Sequence, residues 1–181
     1  MRPDSLFFIM ILSSLICHAA KADEVLVSLG TGSQPGSNQR NDQFAVDYTF
    51  YEHDRSDRSR ISLGIGYTKV QSNTAANTEI EVYSIYPQLT LTPVSRLSRS
   101  WYFFVRALGP SYISSNSLGD RKQENNFTFQ AQTGFGYANA INKDTDLLMQ
   151  VSWKHFSNAD MFESNDGIDI PFNLTVGLRF R

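Results

Sequence analysis

The segment FNLTVGLRF (Phe172–Phe180) near the end of the chain decides the fold, because apolar residues fill every second position and polar or small residues alternate with them. Successive side chains of a β-strand point to opposite faces, so this pattern predicts a strand with one apolar face. Seven earlier segments alternate in a similar way, around residues 25–29, 44–50, 61–67, 83–91, 101–113, 127–137 and 147–153. Because no segment has a convincing helical period, the sequence predicts an all-β chain of eight strands.

Alternation of this kind suits two architectures that orient the apolar face in opposite ways. A soluble sandwich buries that face, whereas a transmembrane barrel turns it outward to lipid and keeps polar residues inside. Runs of about nine to eleven residues match a tilted membrane strand. Aromatic residues recur near the strand ends, and short connections (52–57, 93–99, 139–144) alternate with longer ones (31–41, 70–78, 114–126, 158–167). These features predict an eight-stranded antiparallel outer-membrane β-barrel, with the soluble sandwich as the alternative.

The polar faces of the predicted strands carry residues that a closed barrel would place inside. An eight-stranded barrel has an interior that side chains just fill, so we expect a hydrogen-bonded and charge-paired plug rather than a pore. The predicted inward residues are Asp47, Gln88, Arg106, Gln130, Gln132, Gln150 and Lys154.

The start of the chain has the order of a secretory signal peptide. Arg2 precedes an apolar run over 6–17, and Ala20-Lys21-Ala22 fits the small-x-small cleavage pattern, which places the cut before Asp23. The apolar run is too short for the alternative, a membrane anchor helix. The sequence therefore predicts a signal peptide over residues 1–22 and a barrel domain over 23–181.

Composition and charge exclude several functions. The net charge of −2 offers no basic patch for a nucleic-acid partner. The single cysteine lies in the predicted signal peptide, and the histidines at positions 18, 53 and 155 do not have metal-ligand spacing. We therefore expect no metal, no cofactor and no nucleic-acid partner.

The seventh predicted strand ends in an unusual pair of polar residues. Its outward apolar stripe ends at Trp153 and continues with His155 and Ser157 at the external end. Residues two apart on a strand point the same way, so an imidazole here can accept the proton of the serine hydroxyl. The plainer alternative is that both are interfacial residues where the strand leaves the bilayer.

The residues around this pair resemble the signature of a known family. His155-Phe156-Ser157-Asn158-Ala159 is followed by Asn165-Asp166-Gly167-Ile168-Asp169, with the last acid fourteen positions after the histidine. This order is similar to the His-x-Ser-Asn-Ala and Asn-x-Gly-Ile motifs of the lipid A 3-O-deacylase (PagL) family. The resemblance implies an outer-membrane esterase that removes the 3-O-linked 3-hydroxyacyl chain from lipid A of lipopolysaccharide in the outer leaflet. It also suggests a homodimer.

The resemblance assigns a role to each matching residue. Ser157 would be the nucleophile, His155 the general base and Asp169 the acid that orients the imidazole. Asn158 would help to form the oxyanion hole, with Asn165 and Gly167 in support. The outward residues below the pair would contact the acyl chain, namely Met149, Val151 and Trp153.

Three departures from the family pattern bear on these roles. Asp169 stands where the family commonly has a glutamate, with Glu163 and Asp166 as lower-ranked alternatives. By strand parity Asp169 belongs with the inward residues, so it can face His155 only if the strand begins later or a bulge precedes Pro171. Asp160 stands where a small residue, often glycine, is expected. The functional alternatives are a non-catalytic barrel that anchors or adheres, and a weakly active member of the family.

Overall fold

The computed structural model describes residues 23–93 and 101–181, and within them eight long strands close into a barrel. The predicted signal peptide and most of the predicted turn at 93–99 lie outside the described residues. The barrel strands are β1 Glu24–Ser33, β2 Arg40–Ser56, β3 Ser59–Ser72, β4 Glu79–Leu91, β5 Trp101–Ile113, β8 Phe127–Asn142, β9 Thr145–Ser157 and β10 Ile168–Phe180. A short external hairpin joins β6 Ser117–Leu118 to β7 Arg121–Lys122.

Every barrel strand pairs antiparallel with its neighbour, and β1 pairs with β10 to close the sheet. The seventh and eighth predicted strands are β9 and β10. The strands, at 10 to 17 residues, are mostly longer than the sequence predicted. The segments 52–57 and 139–144, predicted as turns, are largely strand, because β2 runs to Ser56 and β8 to Asn142 before each hairpin turns. Among the described residues, no helix is long and apolar enough to cross a membrane.

The outer wall of the barrel is apolar, as the alternation predicts. Large apolar side chains point away from the interior, and several are more than half exposed, such as Leu29 at 65%, Trp101 at 60% and Phe135 at 66%. A continuous apolar belt of this kind is unfavourable in water and favourable against lipid tails. The wall therefore faces the bilayer, and the prediction of a barrel over a soluble sandwich is confirmed.

A buried ion pair organises the middle of the interior. The Arg106 guanidinium contacts the Asp47 carboxylate at 2.6 Å and donates to Gln88 at 2.8 Å and to Gln132 at 3.1 Å. It also lies over the Tyr86 ring, 3.8 Å from its centroid. All seven predicted inward residues are buried. The middle of the interior is thus filled by polar side chains around a hydrogen-bonded ion pair, as expected.

The external end of the interior differs from the prediction, because it is an apolar cluster rather than a polar plug. Leu118, from the β6–β7 hairpin, covers this cluster, and Gln123 of the same connection is buried. The segment 114–126 is therefore partly a cap, although the sequence suggests a solvated loop. The cluster consists of Val70, Ile80, Val82, Ile113, Leu118, Phe156, Ile168 and Ile170. It packs behind the candidate site, since Phe156 and Ile168 flank the site residues on β9 and β10.

Candidate active site

A β-bulge in β10 turns Asp169 to the outer wall. The register between β9 and β10 shifts between Ile170 and Asn173, so that Asp169 pairs with His155 while Asn173 pairs with Ser152. Before the bulge Ile168 and Ile170 point inward, and after it Asn173 does. A bulge adds one residue to one strand and so reverses which face the following residues occupy. The bulge lies between Ile170 and Asn173, at Pro171 rather than before it, and it gives Asp169 the outward direction that the parity argument required.

His155 and Asp169 are in direct contact. The imidazole Nδ1 lies 3.0 Å from Asp169 Oδ1, and the two side chains are 26% and 12% exposed. A carboxylate only accepts hydrogen bonds, so Nδ1 carries the proton and Nε2 is left as the acceptor. Glu163 is exposed in the following loop, and Asp166 accepts a hydrogen bond from the Lys122 backbone N–H at 3.1 Å. The structure thus brings Asp169 to the histidine rather than either alternative.

Trp153 contacts both members of this pair. Its indole Nε1 donates to Asp169 Oδ1 at 3.0 Å, and its ring stacks on the His155 ring with centroids 5.4 Å apart and an angle of 18°. The sequence predicts Trp153 only as an acyl-chain contact. Trp153 as a whole is still 38% exposed, so it can hold the imidazole in place and face lipid.

Gly167 lies against the imidazole edge. A Cβ at this position would overlap His155 Cε1 and stand 3.1 Å from Nε2, which is tighter than ordinary contact. Only glycine therefore lets the loop approach His155 this closely. The supporting role of Gly167 stays a prediction, and this close fit against His155 is its structural basis.

Ser157 is the last residue of β9 and lies two residues beyond His155 on the same outer face. In the described part of the chain its hydroxyl has no hydrogen-bond partner, so the structure does not bring it into contact with His155 and leaves it available to a bound ester. The chain then turns sharply, since Met161 N–H donates to the Asn158 carbonyl at 3.1 Å. Ala159 and Asp160, at φ 56° and 58°, form the left-handed middle of this turn. Glycine suits such a conformation, which accounts for the small residue expected at 160.

Asn158 and Asn165 fasten the loop that follows the serine. The Asn158 backbone N–H donates to Asn165 Oδ1 at 2.9 Å, and Asn158 Nδ2 donates to the Ser164 carbonyl at 2.8 Å. Asn165 Nδ2 in turn donates to Asp160 Oδ1 at 2.7 Å. Asn158 is completely buried. The amide groups of both residues therefore fix the loop conformation beside Ser157.

An apolar groove of about 400 Å³ runs along the outer wall on the periplasmic side of the site. Met149 and Val151, two of the three predicted acyl-chain contacts, lie in its lining. The rest of the lining is Trp101, Phe135, Gly136, Tyr137, Gln150 and Leu174. The groove lies on the same outer wall as Ser157 but crosses β5, β8, β9 and β10 at one level, and its part on β9 ends at Val151.

A residue that the sequence does not reveal, Gln34, contacts the acid of the candidate site. Its side-chain amide donates to Asp169 Oδ2 at 3.1 Å and to the Gly167 carbonyl at 2.7 Å, while its oxygen accepts from the Asp169 backbone N–H at 2.9 Å. Gln34 lies in the connection between β1 and β2, far from the motif in sequence. This connection has no periodic pattern, so no sequence signal points to the residue.

The fold and the site together define an outer-membrane β-barrel that carries a serine, a histidine and a carboxylate on its lipid-facing wall. The model of the lipid A 3-O-deacylase (PagL) family matches residues 43–179, and the chain belongs to this family. The family, the fold and the outer-membrane location predicted from the sequence are confirmed.

Solved structures with this fold include the following two. One, described as a crystal structure of the outer membrane enzyme PagL, has 17% identity and a TM-score of 0.59, covering 85% of this chain and 97% of the other. The other, Neisserial surface protein A (NspA), has 14% identity and a TM-score of 0.51, covering 88% and 95%. At these identities the likeness shows the fold. No curated protein matches the chain.

Proposed function

We propose that this protein is an outer-membrane esterase that hydrolyses the 3-O-linked 3-hydroxyacyl ester of lipid A. The observation that carries the proposal is the contact of 3.0 Å between His155 Nδ1 and Asp169 Oδ1 on the outer wall, with Ser157 next along the same face. A nucleophile at this place can reach only a substrate that lies in the membrane. The lipid of the external leaflet is lipopolysaccharide, and the family to which the chain belongs is named for its deacylation.

In the proposed reaction, Ser157 Oγ attacks the ester carbonyl carbon while His155 Nε2 takes the hydroxyl proton. The tetrahedral intermediate collapses, the bond from the acyl carbon to the sugar oxygen breaks, and His155 returns the proton to that oxygen. Water, activated by His155, then hydrolyses the acyl-serine and releases a 3-hydroxy fatty acid. Asp169 keeps the Nδ1 proton in place and stabilises the imidazolium that forms in each step.

Asn158 is the residue proposed to support the oxyanion. It directly follows the nucleophile, and it anchors the turn whose backbone passes beside Ser157. Its backbone N–H and its Nδ2 already donate to Asn165 Oδ1 and to the Ser164 carbonyl, so its proposed role is to hold this turn in place beside the oxyanion. We expect Asn158→Ala to lower kcat by loosening this turn.

The acyl chain is proposed to lie along β9, with its ester at Ser157 and its tail toward Met149 and Val151. The six residue steps from Ser157 to Val151 span about 20 Å at strand rise, which is comparable to an extended acyl chain. We propose two further points, which are that residues 1–22 are removed as a signal peptide during export and that the barrel forms a homodimer.

Mass spectrometry of lipid A from cells with and without the protein tests the proposal. We expect the wild type to remove one 3-hydroxyacyl group, and we expect Ser157→Ala and His155→Ala to leave lipid A intact. Matched controls are Ser33→Ala and His53→Ala, which change exposed residues of the same types elsewhere on the barrel. Intact lipid A with the folded wild type would instead favour a non-catalytic barrel.

A further inference from the structure

Three buried amide side chains connect the candidate active site to the external loops. Gln34 and Gln39 lie between β1 and β2, and Asn41 lies at the start of β2. Their exposures are 3%, 2% and 0%. Burial of an amide side chain lowers the stability of a protein unless its donors and acceptors are hydrogen-bonded. A row of three buried amides therefore indicates that their hydrogen bonds have a specific purpose.

Gln34 and Asn41 hold Asp169 by its side chain and by its backbone. Besides the two hydrogen bonds between Gln34 and Asp169, Asn41 Nδ2 donates to the Asp169 carbonyl at 2.9 Å and to Gln34 Oε1 at 2.7 Å. Asp169 Oδ2 therefore accepts a hydrogen bond from Gln34, while Oδ1 accepts hydrogen bonds from His155 and Trp153. The rotation of the carboxylate is fixed from both sides.

The chain of amides continues to the external hairpin. Gln39 Nε2 donates to Asn41 Oδ1 at 2.7 Å, and Gln39 Oε1 accepts from the Asp120 backbone N–H at 2.9 Å. Asp120 lies in the turn between β6 and β7. The order Asp120, Gln39, Asn41, Gln34 and Asp169 thus runs from the cap of the barrel to the carboxylate.

We propose that Gln34 is a positioning residue that holds the Asp169 carboxylate against His155 Nδ1. The inference rests on the proposed function, because the carboxylate matters only if His155 acts as a base. An aspartate is one methylene shorter than the usual glutamate, so its carboxylate reaches the imidazole from one narrow range of orientations. Gln34 selects that orientation. It lies before Gln43, where the match to the family begins, so the family pattern does not assign it a role.

The test compares Gln34→Met with a matched control, Gln130→Met. Gln130 is also a buried glutamine, but it contacts Gln132 at 3.4 Å and lies outside the chain of amides. The assay measures kcat and KM for release of the 3-hydroxyacyl chain from lipid A in detergent micelles. We expect Gln34→Met to lower kcat by about 10- to 100-fold, because small misplacement of a catalytic group has costs of this size. KM should stay within about twofold, because Gln34 is buried and does not touch the lipid.

A double mutant separates positioning from a general structural effect. In an Asp169→Ala background, Gln34→Met should cause no further loss, since it acts through the carboxylate. If Gln34→Met lowers kcat by the same factor in the wild type and in the Asp169→Ala background, the inference is overturned. It is also overturned if Gln34→Met has the same kcat as Gln130→Met.

If Gln34→Met does not show the band shift of a folded barrel on unheated gels, Gln34→Glu is tested instead. Ionised glutamate keeps the shape and the acceptor oxygen but cannot donate to Asp169, so kcat measured at alkaline pH, where both carboxyl groups are ionised, should fall, and an unchanged kcat there would overturn the inference. An inactive wild type would refute the proposed function itself and leave the folded barrel as the result.

Discussion

Substitution of Gly167 by alanine should disable the site without unfolding the barrel. The new Cβ would overlap His155 Cε1 and stand 3.1 Å from Nε2 and 3.3 Å from Nδ1. Carbon atoms in contact lie about 3.5–4.0 Å apart, so either the imidazole or the loop has to move by about 1 Å. His155 cannot retreat freely, because it stacks on Trp153 and bonds Asp169.

A misplacement of about 1 Å at a catalytic group costs about 100-fold in rate, which corresponds to about 2.7 kcal/mol of transition-state stabilisation. We therefore expect Gly167→Ala to lower kcat for lipid A deacylation by about 100-fold. The change removes no hydrogen bond of the barrel, so the protein should still migrate as a folded band on unheated gels. The assay is the rate of 3-hydroxyacyl release by purified protein in micelles.

The matched control is Gly36→Ala. Gly36 lies in an external connection at φ +71°, and a Cβ there would meet nothing within 4 Å. Alanine in this left-handed conformation costs about 1–2 kcal/mol. Gly36 lies two residues from Gln34 in the same connection, but the new Cβ touches no atom of the site. Its kcat should equal that of the wild type. A Gly167→Ala protein as active as Gly36→Ala would refute the argument that His155 and the loop fit together this tightly.

Three further substitutions test other parts of the structure. Asp169→Glu should lower kcat by about tenfold, because the carboxylate already contacts His155 and a longer side chain has to fold back; activity equal to the wild type in the same assay would contradict this. Asp160→Gly should keep kcat within about twofold, because glycine accepts the left-handed turn at no steric cost; a loss beyond tenfold would mean that the Asp160 carboxylate has a role of its own. Arg106→Met should lower the free energy of unfolding in urea by about 3–5 kcal/mol, measured by tryptophan fluorescence, because it leaves the buried Asp47 carboxylate unpaired; a loss below 1 kcal/mol would show that the ion pair is not needed.

The barrel could be predicted from the sequence because its signal is periodic. Residues such as Leu174 and Val176 repeat every second position, and the side-chain direction of a strand has the same period. Strand ends were predicted less well. The hairpins of β2 and β8 extend beyond the apolar belt through polar residues, where alternation no longer separates strand from turn.

The sequence predicts those parts of the site whose residues are close together in the chain. It does not predict the contacts between residues that are far apart in the chain. His155 and Ser157 share one strand face, so their spacing was informative. Asp169 depends on a bulge near Pro171, and sequence parity could only state that a bulge or a late strand start was required. Gln34 comes from an irregular connection, and its contact with Asp169 follows from closure of the barrel between β1 and β10. The apolar cluster around Phe156 was missed because an apolar residue on the polar face looks like an exception to the alternation.

The central claim is that Ser157 is a nucleophile activated by His155, and covalent labelling tests it most directly. The folded protein is treated in detergent with a fluorophosphonate that carries a long alkyl chain, and the modified residue is mapped by peptide mass spectrometry. We predict one adduct, on Ser157, that is lost in His155→Ala and retained in His53→Ala. An adduct on another residue, or labelling of Ser157 at the same rate without His155, would contradict the account.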